Sequence, residues 1–391
     1  LCFSLFYVSS NLKQQPTMKF ITVAFVSAAL LGDAAFAFVP STGSAMRPTT
    51  SLSMSAALIV QNKGGGHGEL GFQLAKTLTD HPKIDSITIL QDEGYDAEKE
   101  PFKSYGTDIP NVEFIRAPLG DEGITKDMVK NILDGKEFDY VWDNYSKKPE
   151  GVSVSLCEAA KDWGVNLYTY VSSAGMYTPV DSTVFPMAET TPIKDSAGQA
   201  LFDNFVVESG LPLVSFRPQY IYGPKSNKYD YIDWYFDRLV RDLPLPIPAD
   251  GSQKVSLTNS EDVASLLASV LNDEAAAVSG RVFNCGTDDL HSYDEVAFMC
   301  AEAAGIAKDN VKIESYDGDK FGKAKFPFRL TNFYIAPDKV KAELGWEGPK
   351  HSLKGDLPAY FESYKARGGP EKKISLAKDW EVVFGNTSPF A

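Results

Sequence analysis

Three glycines, Gly65, Gly68 and Gly71, recur at every third residue between the apolar run Ala57–Gln61 and the helical pattern Phe72–Leu78. Glycine lacks a Cβ, so such a turn lets the backbone approach a pyrophosphate closely. The helix that follows offers unpaired N–H groups and the positive end of its dipole. This strand–turn–helix setting is what a dinucleotide site needs. About 20 residues past Gly71, Gln91-Asp92-Glu93 closes the next apolar run. A carboxylate at Asp92 would bond a ribose 2′-hydroxyl and repel a 2′-phosphate, which favours NAD over NADP as the cofactor. The same turn is also compatible with a fold that keeps its glycines and binds nothing.

A second cluster has a different chemistry. Lys320, Lys323, Lys325 and Arg329 fall within ten residues, interleaved with Phe321, Phe326 and Phe328. Cations neutralise phosphates, and exposed phenylalanines stack on unpaired bases. The competing reading is a structural segment with core phenylalanines and solvated lysines. Lys147, Lys148, Arg238 and Arg241 are weaker additions, and Asp317 and Asp319 oppose anion binding at the patch. Across the 391 residues, 52 acids outnumber 38 bases for a net charge of −14, which excludes a broadly basic surface and confines any nucleic-acid contact to a local patch. Cys157, Cys285 and Cys300 lack CxxC spacing and read as reduced, buried thiols. His67, His81, His291 and His351 are scattered, and acid pairs such as Asp288/Asp289 read as solvated faces, so no metal site is assigned.

The elements that must position these residues alternate. Strands are expected at Ala57–Gln61, Ser86–Leu90, Val112–Ala117, Phe138–Trp142, Asn166–Ser172 and Leu213–Arg217, with helices at Met128–Leu133, Val152–Trp163 and Ala197–Glu208 between them. That order predicts an α/β fold, a Rossmann-type doubly wound parallel sheet. Residues 56–225 would form this core, and 226–370 a smaller C-terminal substrate lobe interleaved with it, with 371–391 as a tail. In the lobe, Tyr229–Leu243 reads as a helix, Pro244–Pro248 as a loop, and Ser260–Asn272 as a helix capped by Ser260. Arg281–Cys285 reads as a strand, Ser292–Ala304 and Asp338–Leu344 as helices, and Lys312–Arg329 as a loop. The aromatic run Tyr229–Phe236 serves either core packing, the favoured role, or contacts in a homo-oligomer.

The N-terminal region carries targeting signals. Met18 and Lys19 precede the apolar stretch Phe20–Leu31, and Ala35-Phe36-Ala37 supplies a small-x-small cleavage pattern. Residues 18–37 therefore read as a signal peptide, and 1–17 as an extension of the gene model. Ser41–Ser55 holds eight Ser or Thr, one Arg and no acid, which is transit-peptide composition for 38–55. A signal followed by a transit peptide predicts the stroma of a complex plastid. No apolar run reaches the ~18 residues of a membrane span, so the mature form is expected off the membrane.

The glycine turn, Val171-Ser172-Ser173-Ala174-Gly175-Met176-Tyr177, and Phe216-Arg217-Pro218-Gln219-Tyr220-Ile221-Tyr222-Gly223-Pro224 together resemble the extended short-chain dehydrogenase/reductase superfamily of NAD-dependent epimerases and dehydratases. The resemblance spans about residues 56–350. It implies a Ser paired with Tyr-x-x-x-Lys on the next helix, where the Lys lowers the Tyr pKa for proton exchange near neutral pH. Ser173 holds the Ser position. Counting back from Gly210-Leu211-Pro212 puts Asp195 at the Tyr position and Gln199 at the Lys position, and no tyrosine occurs between Tyr177 and Tyr220. Tyr316-x-x-x-Lys320 repeats the spacing in the C-terminal third and reads as coincidence.

Among members without the pair, the chain is similar to the chloroplast stem-loop-binding protein family. The residues are Tyr140-Val141-Trp142-Asp143-Asn144, Asp233-Trp234-Tyr235-Phe236-Asp237-Arg238-Leu239, the run Lys320 to Arg329, and Leu344-Gly345-Trp346. This resemblance implies stem-loop RNA as partner, plastid ribonucleoprotein complexes, and endonucleolytic cleavage for which no residues can be assigned. Two alternatives stand beside it. One is an NAD-dependent epimerase, dehydratase or oxidoreductase acting on a nucleotide sugar with another base. The other is a non-catalytic NAD-binding scaffold.

Overall fold

The computed structural model describes residues 55–61, 70–120, 123–225, 229–274 and 280–385. The expected extension, signal peptide and transit peptide lie outside the described residues, as do Gly65 and Gly68. Six strands open the fold: β1 (Ala56–Gln61), β2 (Ser86–Asp92), β3 (Glu113–Ala117), β4 (Tyr140–Asn144), β5 (Leu167–Val171) and β6 (Leu213–Pro218). Between them run α1 (Leu70–Thr79), the short α2 (Tyr105–Asp108), α3 (Lys126–Ile132), α4 (Val152–Trp163) and α5 (Gly198–Ser209). The chain continues through β7 (Ile221–Tyr222), α6 (Asp230–Leu239), β8 (Leu245–Pro248), β9 (Lys254–Ser256), β10 (Thr258–Asn259) and α7 (Ser260–Ala268), and reaches β11 (Arg281–Cys285) and β12 (Leu290–Ser292).

The seven-stranded sheet has the order β11-β6-β5-β4-β1-β2-β3 and is parallel throughout. The doubly wound expectation therefore holds. Alternate residues feed opposite faces, and both faces are apolar, as a sheet covered on two sides requires. Ala57, Ile59, Trp142 and Phe216 pack under α1 and α7. Leu58, Val60, Val141 and Tyr168 pack under α4 and α5. Helix α5 ends where Gly210 adopts φ 80°, a left-handed cap that a Cβ would strain.

The lobe has its own core around α6, the helix Tyr293–Ala303 and the helix Leu353–Ala366. Expectation and structure differ at several points here. Helix α7 is capped by Asn259, whose side chain accepts from the Glu261 N–H at 2.9 Å, and Ser260 is its first residue. Pro244–Pro248 is not a loop: β8 pairs in parallel with β13 (Ile313–Tyr316) in a two-stranded sheet. An edge strand tolerates proline because one side of its ladder is unpaired. Lys312–Arg329 accordingly contains a strand and a short helix, Gly318–Phe321, capped by the Asp317 side chain. The tail carries a helix, Ala377–Phe384.

Phe326 and Phe328 are 3% and 0% exposed, packed against the Tyr293 ring at 4.8 and 5.6 Å. Buried rings cannot receive bases, which corrects the stacking role expected of them. Phe328→Ala should cost about 3–5 kcal/mol of stability, as for other buried aromatics. Urea unfolding checks this, and a loss within about 0.5 kcal/mol would instead indicate a surface side chain.

Candidate functional site

In a parallel sheet the C-terminal ends of all strands meet at one edge, where ligands of such folds bind. Gly71 lies in the first turn of α1 against the last residue of β1. A Cβ there would collide with the Gln61 carboxamide. Gln61 is fully buried, and its Nε2 donates to the Tyr105 hydroxyl at 2.7 Å, so it cannot simply step aside. Gly71 thus serves close helix–strand packing, the part that the third glycine of a dinucleotide turn plays. Asp92 ends β2, beside β1 in the sheet. It is buried, and its Oδ1 accepts from the Leu119 N–H at 3.1 Å. A fixed carboxylate at this strand end suits a ribose hydroxyl, so Gly71 and Asp92 fit an NAD-type dinucleotide. Bound there, NAD would supply hydride transfer.

Ser173 follows β5. Its Oγ accepts from the Gly175 N–H at 3.0 Å and caps the turn Ala174–Met176. Asp195 is exposed just before α5, and Gln199 is half-buried in its first turn. A carboxamide cannot titrate, and it cannot hold a neighbouring phenol at lowered pKa. Tyr177 is no substitute. It is fully buried, donates to Asn284 Oδ1 at 2.6 Å and accepts from Arg217 Nη1 at 3.2 Å. Burial pushes this phenol up despite the Arg217 guanidinium, which opposes the shift. Tyr316, in the second Tyr-x-x-x-Lys spacing, donates to the Lys323 carbonyl at 3.2 Å in the lobe, and burial pushes it up to about 12.

The sequence reading missed Asp203, four residues beyond Gln199 on α5. It accepts from Ser215 Oγ at 2.7 Å and from Ser172 Oγ at 3.4 Å, which ties α5 to β6 and to the end of β5. Burial pushes its carboxyl up to about 6, against the lowering effects of Ser215, Arg217 and Ser172. The one available signal was an acid on an otherwise apolar helix face.

The basic segment divides. Lys320 and Lys325 are exposed, and the Lys320 ammonium lies 4.8 Å from the Phe321 ring centroid. Lys323, also exposed, donates to the Pro327 carbonyl at 2.8 Å. Arg329 turns inward: it donates to the Tyr177 and Gly175 carbonyls at 3.2 and 2.7 Å and lies 3.9 Å above the Phe333 ring. Its donors are spent on holding the Ser173–Tyr177 turn to the lobe, so it is a strap, which corrects its expected place in a phosphate-binding set. Arg238 grips the Asp379 carboxylate with two bonds of 2.9 and 2.7 Å, and Arg241 donates to the carbonyls of Gly369, Pro370 and Lys372. Both guanidiniums are held by these partners, and neither is a free surface cation. Lys148 pairs with Glu150. Cys157, Cys285 and Cys300 are free and buried. Among the described residues no helix is long and apolar enough to cross a membrane, and no group of three or more His, Cys, Asp or Glu is placed to hold a metal ion.

A doubly wound parallel sheet, a glycine-packed β1–α1 junction, an acid ending β2 and a serine after β5 together give the chain a dinucleotide-binding type of fold. The sequence profile of the NAD dependent epimerase/dehydratase family matches residues 65–286, more than half of the chain, and the chain belongs to that family. It is 31% identical over 257 residues to the chloroplast stem-loop binding protein of 41 kDa b of Arabidopsis thaliana, covering 65% of this chain and 66% of that protein. It is 26% identical over 286 residues to a trifunctional UDP-glucose 4,6-dehydratase/UDP-4-keto-6-deoxy-D-glucose 3,5-epimerase/UDP-4-keto-L-rhamnose-reductase of the same plant, covering 68% of this chain and 39% of that one. The matches thus span just under two thirds and about two fifths of these relatives' lengths. Among solved structures, dTDP-glucose 4,6-dehydratase from Bacillus anthracis in complex with NAD superimposes with a TM-score of 0.62 at 16% identity, covering 81% of this chain and 98% of that one. UDP-glucose 4-epimerase from Thermus thermophilus in complex with NAD gives 0.57 at 20% identity, covering 79% and 99%. At these identities the likeness is one of fold.

Two outcomes check the geometry. Gly71→Ala should cost about 1–3 kcal/mol by overpacking. Combined with Gln61→Ala, it should destabilise by less than the sum of the single changes, because the collision is then gone. Strict additivity in thermal unfolding would show that the two residues do not meet. The raised carboxyl of Asp203 favours its neutral form in the fold. Its stabilising contribution is therefore full below about pH 4 and is lost as pH rises through about 6. Asp203→Asn should flatten that decline in a urea-midpoint series, and an unchanged slope would exclude Asp203 as its source.

Proposed function

We propose that this protein is a plastid RNA-binding protein that recognises stem-loop transcripts on an epimerase scaffold. The observation that carries the reading is the pair Asp195 and Gln199 at the positions of the proton relay. Asp195 is solvent-exposed, and a carboxyl beside a carboxamide that cannot titrate does not reproduce a phenol tuned by an ammonium. The nucleotide-sugar chemistry of the family therefore lacks its usual acid and base here. The plant relative that binds chloroplast stem-loops supports the RNA partner. The exposed lysines Lys323 and Lys325 provide local cations on an acidic protein. Gly71 and Asp92 support a retained NAD pocket, so that NAD acts as a bound ligand and not as the centre of sugar chemistry.

The test is fluorescence anisotropy of a labelled stem-loop RNA at about 50 and 200 mM salt, with and without NAD. The expected result is binding that weakens steeply with salt, as phosphate contacts dictate. A parallel gel with magnesium reads strand cleavage. Absence of binding at the lower salt would overturn the RNA reading. Turnover of a nucleotide sugar that is sensitive to Ser173→Ala would establish the epimerase or dehydratase alternative.

A further inference from the structure

The lobe holds a hollow whose lining includes no residue of β1, β2 or β5. It is a cleft of about 650 Å³ between α6, the segment 323–327 and the segment 372–375. Its volume falls within the ~300–1,000 Å³ of small-ligand pockets and is ample for one nucleotide. Trp234 and Arg238 line it from α6, and Lys323, Lys325, Lys372 and Lys373 line it from the two segments. Trp234 and Arg238 are 7% and 4% exposed, and both Trp234 Nε1 and Arg238 Nε lack an acceptor among the described residues. Buried N–H donors without an acceptor are costly and rare in folded proteins. All four lysines are exposed.

Three carboxylates share the lining: Asp230, Asp233 and Asp237. Two of them are already matched. Asp233 takes a bidentate grip from Arg367 at 2.9 and 3.0 Å, and Asp237 takes Lys372 at 3.1 Å. Asp230, Lys323, Lys325 and Lys373 complete the charged lining, with Lys323 donating to the Pro327 carbonyl at 2.8 Å. The cleft is therefore rich in donors and positive within a protein of net charge −14. Half-buried Tyr231 adds an aromatic wall.

We infer that this cleft seats one unpaired nucleotide of an RNA strand, its phosphate among Lys323, Lys325 and Lys373 and its polar edge toward the Trp234 and Arg238 N–H groups. The inference rests on the RNA reading above and goes beyond it. It places the contact in a pocket bordered by residues 372–375 of the C-terminal segment, not on the face of the 320–329 run. A cleft of about 650 Å³ holds a nucleotide and not a duplex, so the loop or a flank of a stem-loop is what enters.

The experiment compares the full chain with three variants, using a labelled stem-loop RNA and a short oligouridylate. Lys325→Glu with Lys373→Glu reverses two rim charges drawn from distant parts of the sequence. Lys320→Glu reverses a charge on the same segment but outside the cleft. Trp234→Phe keeps the ring and removes the indole N–H. The rim pair should weaken both RNAs at least tenfold and reduce the magnitude of the salt slope by about 1–2 units. Lys320→Glu should change affinity less than threefold. Oligouridylate should quench tryptophan fluorescence in the full chain and not in Trp234→Phe, with circular dichroism confirming that each variant is folded. Equal losses in the rim pair and Lys320→Glu would overturn the inference, since a diffuse field would then account for binding. So would wild-type affinity in the rim pair, or quenching that survives Trp234→Phe. A mononucleotide that binds as tightly as the strand would make the cleft a small-molecule site and overturn the inference too. In each of these cases the unaltered chain still binds stem-loop RNA and the broader reading stands. Only failure of the unaltered chain to bind removes both.

Discussion

Burial of both faces of one parallel sheet is the constraint on which everything else depends. A parallel ladder must be crossed over by helices, and helices on both sides leave no face for water. Ile59 and Trp142 on one face and Leu58 and Val141 on the other are at most 1% exposed, and each such side chain contributes roughly 1.5–3 kcal/mol of burial. Once the strands are aligned in this way, the ends of β1, β2 and β5 open at the same edge. Gly71, Asp92 and Ser173 come together there because the sheet is parallel, although more than 100 residues separate the first from the last.

The lobe is held by different physics. Helix α6 is aromatic on one side, yet it also buries Asp233, Asp237 and Arg238. Each finds its partner in the C-terminal segment: Arg367 with Tyr360, Lys372 with Tyr364, and Asp379. Buried ion pairs contribute little net stability, but removing one partner from such a pair costs about 3–5 kcal/mol. They therefore specify where residues 353–385 must lie more than they add to how firmly the fold holds. One consequence is geometric. The chain that satisfies α6 also brings Lys372 and Lys373 across from Lys323 and Lys325, and the space left between them is the basic cleft.

Much of the core was legible because its signals are local. The ranges of α4, β11 and the helix Asp338–Leu344 were read to the residue, each being an apolar pattern with clear boundaries. The lobe was harder where local and tertiary preferences conflict. Prolines at 246 and 248 spoke for a loop, and only pairing with β13 makes that stretch a strand. Pro358 inside the helix Leu353–Ala366 disguised the helix in the same way. At the candidate site, the types of Gly71, Asp92 and Ser173 announced their places. What could not be read was direction. Phe326, Phe328 and Arg329 alternate with lysines as a nucleic-acid contact would, yet the rings enter the core and the guanidinium binds carbonyls. The role of Asp203 was hidden for a related reason, since its partners Ser172 and Ser215 come from the end of β5 and the middle of β6.

These two halves account for how one chain can keep a dinucleotide fold while carrying Asp195 and Gln199 at the head of α5. The sheet edge depends on packing for its shape: Gly71 is needed by Gln61, and Asp92 by the Leu119 N–H, whether or not chemistry follows. Tyr and Lys of a proton relay have no such structural duty, so Asp195 and Gln199 can stand at the head of α5 at little cost to the fold. Lys325 and Lys373 on the rim of the cleft are less constrained by the core, since they are exposed on segments whose anchoring is done by Arg238, Arg367, Lys372 and the Phe326–Phe328 pair. Side chains released from structural work are the ones whose chemistry can change. In this molecule they lie at two places, the head of α5 and the rim of the basic cleft.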